Sequence, residues 1–392
     1  MIDSRDMGIY DFDEIVPRRG TASYKWDTPE EGVLPMWVAD MDFRTAPCIV
    51  DALARRVAHG VFGYVKVPQT YYDAVTRWFE RRHGVTFRKE WFIYTSGVVP
   101  ALSAIIKALT GPGDKVIVQP PVYNCFFSSI RNNGCEMLPN PLLRDGDSWK
   151  MDFEDLEAKA ADPKAKVMVL CNPHNPAGRV WTAEELRRAG EICLRHNVFV
   201  ISDEIHCELT YAGHDYTPFA SLGEEHLKNS ATCISPSKAF NIAGLQIANI
   251  VVADGELRSR IDRAININEV CDVNPFGVEA TIAAYSREGA EWLDQLRSYL
   301  HDNYLTVKNF FAQHLPGFPV TELEGTYLVW IDVSASGRSA DEITDELLRK
   351  QKLMVNSGTM YGPGGENFIR LNIACPRSTV LEGLRRIAAV LG

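Results

Sequence analysis

Apolar residues in the middle of the chain follow two rhythms. Residues 115–119, 166–171, 198–202, 231–235 and 248–253 are short runs, several of them apolar at nearly every position, and between them lie stretches with helical spacing. Continuous apolar runs suit strands covered on both faces. Their alternation with helical patterns predicts a βαβ succession around a mostly parallel sheet. Local signals place two of the helices. Residues 182–196 open on Thr182 with Glu185 three positions on, the pattern of a capping box. After Ser96-Gly97, the residues Val98, Leu102, Ile105, Ile106 and Leu109 share one helix face, and Gly111-Pro112-Gly113-Asp114 stops the helix. Further on, 278–314 reads as one or two long helices, 326–332 as a strand, 340–352 as a helix and 368–374 as a strand. These last elements predict a second, smaller α+β domain. The irregular, Pro-rich residues 1–45 are expected to cross over and join it, which divides the chain into 46–285 and 1–45 with 286–392.

Composition narrows the class. A chain of 392 residues suits about two domains, and 46% hydrophobic with 23% charged residues is ordinary for a soluble globular protein. The net charge of −10 excludes the concentrated basic face that nucleic acid requires. No apolar run approaches the ~20 residues of a membrane helix. Met1-Ile2-Asp3-Ser4-Arg5-Asp6 carries acids where a signal peptide has a basic region. The nine cysteines are odd in number, scattered and without a C-x-x-C pair, which suits a reducing cytoplasm rather than disulfides or a zinc ribbon.

Three central runs each end in a different polar group. Residues 166–171 lead into Asn172-Pro173-His174-Asn175-Pro176-Ala177-Gly178, 198–202 into Asp203-Glu204, and 231–235 into Pro236-Ser237-Lys238. In an open parallel sheet the ligand lies beyond the carboxyl ends of the strands, so an amide, a carboxylate and an amine would meet in one crevice. That trio is what pyridoxal 5′-phosphate (PLP) needs. The amine forms an imine and moves protons, and the carboxylate favours the protonated pyridine nitrogen. The protonated ring can then store a carbanion's electrons, while the amide bonds the ring oxygen. The turn Ser96-Gly97-Val98-Val99 opens a helix whose N–H groups and dipole offer a phosphate seat, and Ser235 and Ser237 add hydroxyls.

Taken singly these pieces are weak. A lysine after a strand is ordinarily a surface lysine, Asp-Glu is often a helix cap, and N-P-x-N-P is often a rigid turn. Their joint occurrence, in order at successive strand ends, is what carries the reading. Other motifs fail on context. Ser235-Pro236-Ser237-Lys238 fits S-x-x-K, but no K-T-G accompanies it. Gly111-x-Gly113 lacks the third glycine of a dinucleotide loop. His206-Cys207-Glu208 has no P-C-x-x-C to complete a zinc deaminase site.

At these residues the chain resembles the fold-type I PLP enzymes of the class I/II aminotransferase superfamily, over nearly its whole length. The resemblance implies an α/β fold like that of aspartate aminotransferase, with a mostly parallel seven-stranded sheet flanked by helices and a smaller α+β domain. It implies Lys238 as the Schiff-base lysine, Asp203 at the pyridinium, Asn175 at the ring hydroxyl and Tyr123 stacked on the ring. The phosphate would lie on Gly97, Val98 and Val99. Arg370, in Phe368-Ile369-Arg370-Leu371-Asn372, matches the arginine that clamps the substrate α-carboxylate, with Ala39 and Asn175 also at the substrate. Gly63-Tyr64 matches a tyrosine reaching the phosphate and substrate of the neighbouring subunit, which implies a homodimer with a shared active site.

More narrowly, Met36-Trp37-Val38-Ala39-Asp40-Met41-Asp42-Phe43, Ser202 to Leu209 and Ser237 to Gln246 resemble the cystathionine β-lyase and cystalysin type of C–S lyase. His206 stands where many aminotransferases have a tyrosine near the ring hydroxyl, and Gln246 where many have a phosphate-binding arginine. Both departures match the lyase subgroup. The implied reaction is α,β-elimination on an L-cysteine S-conjugate such as L-cystathionine, giving a thiol, pyruvate and ammonia. Trp37, Tyr123 and Tyr361 are candidates for the distal pocket. Two alternatives stand beside it: an aminotransferase, which shares every cofactor residue, and a PLP-holding regulatory protein acting through a protein partner.

Overall fold

The computed structural model describes residues 10–267 and 272–392. Cys271 and the first nine residues lie outside them. Seven strands form the large sheet: β1 (Phe92–Thr95), β2 (Lys115–Val118), β3 (Glu136–Pro139), β4 (Ala165–Cys171), β5 (Phe199–Asp203), β6 (Ser230–Ile234) and β7 (Ala248–Val251). Their order is β1-β7-β6-β5-β4-β2-β3. The pairs from β3 to β6 are parallel, whereas β7 runs antiparallel to both β6 and β1. The five apolar runs became β2 and β4 to β7, each within two residues of the expected ends. β5, β6 and β7 are buried along their whole length, because helices cover both faces. At the two edges, β1 alternates half-buried and buried positions and β3 is exposed or half-buried throughout.

The helix signals held. Ala183–Arg195 begins with the Thr182–Glu185 capping box, both hydrogen bonds present. Val98–Leu109 buries Val98, Ala101, Leu102, Ile105 and Ile106 against the sheet. The long helical stretch resolves into Pro275–Ala284 and Arg287–His314, separated where Ser286 caps the second helix through Gly289 N. Near the C-terminus, β8 (Leu328–Asp332), β9 (Asn356–Ser357) and β10 (Phe368–Asn372) form a small antiparallel sheet in the order β8-β10-β9.

The N-terminal segment does cross over. Leu34–Pro35 pairs in parallel with Leu353–Met354, and Asn372 N donates to Met36 O. Apolar packing joins the two parts, since one core cluster includes Trp78 and Phe240, Trp292 of the long helix, and Ile369 and Leu371 of β10. Phe240 stacks on Trp292 with centroids 5.8 Å apart. No helix of the described residues is long and apolar enough to cross a membrane.

Candidate active site

β1, β2, β4, β5 and β6 all end on the same edge of the sheet, and the segments that follow them enclose a cavity of about 460 Å³. That volume suits a small-molecule site. β2 continues through Gln119-Pro120-Pro121 to Tyr123, whose ring meets Phe126 edge-on at 5.9 Å and lines the cavity. Burial, with Cys125 beside it, holds the Tyr123 phenol well above its usual range. β4 runs into the 172–178 turn, which presents Asn175. Gly178 closes that turn at φ +72°, and a Cβ there would lie 2.9 Å from Leu323 Cδ1.

Asp203 and Glu204 divide their roles by direction. Asp203 is buried, faces the cavity and accepts from Ile205 N at 3.2 Å. Burial raises its pKa to about 7, with Glu204 adding to the rise and Lys238 opposing it. Glu204 turns the other way and accepts from Ser202 Oγ, Phe219 N and the Tyr216 hydroxyl. Lys238, after β6, points into the cavity and donates to Ala39 O at 2.7 Å. Burial lowers its amine to about 8. Asp40 and Asp203 pull it upward, and Arg370 pushes it further down.

Arg370 lies on β10, 4% exposed. Its guanidinium donates to Trp37 O at 2.8 Å and to Asn175 Oδ1 at 3.1 Å, and it lies 5.0 Å from the centre of the Tyr361 ring. Among the described residues no carboxylate pairs with it. A buried cation without an anion is costly unless a ligand supplies one, and its planar fork suits a carboxylate.

The 36–43 segment forms the opposite wall and is pinned carbonyl by carbonyl. Asn372 Nδ2 donates to Val38 O and Asp40 O, and Asn241 holds Met41 through both its N–H and its carbonyl. Arg18 and Lys25 hold the Asp42 carboxylate at 2.7 and 2.9 Å.

These residues fit PLP. The Val98–Leu109 helix has no side-chain cap and no acid in its first turn, so Gly97, Val98 and Val99 offer free N–H groups to an anion. His206 is buried beside the cavity with Nδ1 unpartnered, and burial, Lys238 and Arg370 lower its pKa to about 3. A neutral imidazole there suits contact with the ring rather than with the phosphate. Ser237 and Gln246 also line the cavity.

Two of the candidate residues do not line this cavity. Ser235 is buried behind the lysine and does not reach the cavity, because its hydroxyl donates to Ile247 O and accepts from Ser237 N. Tyr64 is 95% exposed on the loop before Gln69–His83, away from the cavity of its own chain. Of the distal candidates, Trp37 and Tyr361 both line the cavity, with Tyr24, Cys125, Asn356 and Met360, which sequence reasoning missed. Asn356 sits in a two-residue strand and carries no local signal. Glu208, from the rejected H-x-E motif, faces Trp78, Arg82 and His83 instead of His206.

The family model "Aminotransferase class I and II" matches residues 32–387, and the chain belongs to that family. Within it, the chain is 46% identical to cystathionine beta-lyase PatB of Bacillus subtilis, over 97% of this chain and 99% of that protein. The structure matches cystalysin from Treponema denticola, which contains a pyridoxal 5′-phosphate cofactor. The TM-score is 0.95 at 33% identity, over 98% of this chain and 99% of that one. The PLP-bound C-S lyase from Staphylococcus hominis gives a TM-score of 0.90 at 32% identity, over 97% and 98% of the two chains.

Proposed function

We propose that the protein is a PLP-dependent C–S β-lyase that cleaves L-cystathionine or other L-cysteine S-conjugates to a thiol, pyruvate and ammonia. The observation that carries this reading is one cavity holding a buried amine, a buried carboxylate and a buried guanidinium without an anion. The likeness to named β-lyases selects elimination over amino transfer.

When bound, PLP supplies a place to store the electron pair freed at the substrate Cα. The chain does the rest. Arg370 takes the substrate α-carboxylate on its fork, with Asn175 alongside. Lys238, held by Ala39 O and with its ammonium form disfavoured by burial, accepts the Cα proton on Nζ. Asp203 would stabilise a proton on the pyridine nitrogen, and Tyr123 would cover the ring. The N–H groups of Gly97, Val98 and Val99 would hold the phosphate. The thiolate would then leave from Cβ and take up a proton, and one water would release the remaining three-carbon fragment as pyruvate and ammonia, with the Trp37, Tyr123 and Tyr361 rings lining the cavity around it.

Tyr64 belongs, in this reading, at a homodimer interface, reaching the partner's phosphate and substrate. Its exposure beside Val61 and Phe62, both also exposed, supports this. We divide the chain into a cofactor-holding domain, 46–285, and a substrate-side domain, 1–45 with 286–392; the pairing of Leu34–Pro35 with Leu353–Met354 supports the split. The eight described cysteines are all free, which supports a cytoplasmic location.

The deciding test incubates the PLP-loaded protein with L-cystathionine and follows pyruvate and free thiol together. Equal release of both without a keto-acid acceptor is the expected result. Amino transfer to a keto acid without release would make the protein an aminotransferase.

A further inference from the structure

Thr326 is the one β-branched residue with positive φ among the described residues, at +70°. Side chains branched at Cβ rarely adopt that conformation, and such outliers gather at functional sites. Here the turn is over-determined. Thr326 N donates to Leu209 O at 2.7 Å, the Tyr211 hydroxyl donates to Thr326 O at 2.6 Å, and Leu328 N donates to Thr326 Oγ1 at 3.1 Å.

The next residue, Tyr327, is fully buried, and its hydroxyl donates to Ala39 O at 2.9 Å. Lys238 Nζ donates to the same oxygen at 2.7 Å. The neighbouring carbonyls of the wall are bonded by Arg370, Asn356, Asn372, Asn241 and Arg18. Ala39 O is therefore the carbonyl of this stretch given to the amine, and its second lone pair goes to Tyr327.

We propose that Tyr327 is a positioning residue for proton transfer at Lys238, fixing the Ala39 carbonyl that orients the free amine. The proposal rests on Lys238 as the group that moves the Cα proton. Two effects follow from the shared acceptor. A carbonyl held by two donors cannot swing, so the amine keeps one direction of approach. The phenolic hydrogen also draws density from the oxygen and places a positive dipole end near Nζ, which disfavours the ammonium form. Tyr327 itself stays protonated, since burial and then Asp40 hold its phenol above the usual range. Asp40, Arg370, Asp203 and Cys125 face the amine from the other elements, and His206 lies close by. Tyr327→Phe leaves all five in place, so a shift in the amine reports the hydroxyl.

The test is Tyr327→Phe, read two ways. In the full-length cofactor-free chain labelled with 13C-lysine, the Lys238 amine, assigned by its loss in Lys238→Ala, should titrate roughly half a unit higher by NMR. In the PLP-loaded enzyme kcat should fall about ten-fold with KM within about two-fold, and the isotope effect from α-deuterated substrate should rise. An unmoved or lowered amine titration, with an unchanged isotope effect, overturns the proposal and leaves Tyr327 a packing residue even if the melting temperature drops. If the wild type releases no pyruvate from L-cystathionine, the lyase reading fails, while the amine titration still decides the role of Tyr327.

Discussion

Arg370 is the residue whose loss should separate function from folding most cleanly. Replacing it with Ala removes two donors from a substrate carboxylate, each charge-assisted contact being worth roughly 1.5–3 kcal/mol. The sum, about 3–6 kcal/mol, corresponds to a fall in kcat/KM of about 10² to 10⁴. Stability should barely respond. Trp37 O loses Arg370 but keeps Asn356 Nδ2 at 3.1 Å. Asn175 Oδ1 loses its partner, a cost of about 1–3 kcal/mol, but an unpaired buried cation disappears with it. Arg370→Lys keeps the charge without the fork and should lie between, at about 10- to 100-fold. The assay compares pyruvate release from L-cystathionine with the visible absorbance of bound PLP and the melting temperature. A fall of less than about five-fold in Arg370→Ala would refute the carboxylate clamp. A melting temperature lowered by more than about 8 °C together with lost cofactor would show that the residue chiefly holds the fold.

The remaining predictions follow the same logic. Lys238→Ala should abolish turnover and the long-wavelength absorbance of bound PLP while leaving the melting temperature nearly unchanged; retained turnover would remove Lys238 from the mechanism. Asp203 has a folded pKa of about 7 against an ordinary 3.8, so between those values the folded chain binds more protons than the unfolded one. In the cofactor-free protein stability should therefore decline as pH rises from about 4 to about 7. Asp203→Asn should flatten that slope in melting scans while cutting kcat at least about 10²-fold, and an unaltered slope would show that Asp203 is not buried as a strained acid. Glu208→Ala leaves the buried Trp78 Nε1 without its acceptor, takes His83 Nε2's partner and leaves Arg82 with Asp294 alone, so it should destabilise the fold by about 1–3 kcal/mol in urea titrations. Activity per folded molecule should survive, and its loss in a stably folded variant would mean that this buried anion also serves the active site.

Much of the molecule could be read from local pattern. The continuous apolar runs gave five of the seven strands because burial on both faces leaves a direct mark on composition. Thr182 with Glu185 gave a helix start because capping is decided within four residues. Lys238, Asp203 and Asn175 were legible because each follows a strand whose apolar run announces it, and the parallel order brings those three strand ends together, whereas Arg370 was marked only by the family resemblance. The edge strands β1 and β3 were not legible, since four residues that are at most alternately buried leave little mark on composition.

Tertiary structure decided everything that depends on distant backbone. Sequence assigned Ser235 a phosphate role by its neighbourhood to the lysine, but the carbonyl of Ile247, twelve residues away, takes its hydroxyl. Nothing local in Ala39 or Tyr327 marks one oxygen as the shared acceptor of a phenol and an amine 288 and 199 residues away. Which way Glu204 turns was likewise settled by Tyr216 and Phe219. Sequence therefore determined the secondary elements, the class of site and the residues able to do its chemistry, because each depends on short-range propensity and burial. Orientation, the protonation of Asp203 and Lys238, and the pinning of the 36–43 wall came from the fold alone, because burial and long-range hydrogen bonds exist only once the chain has closed on itself.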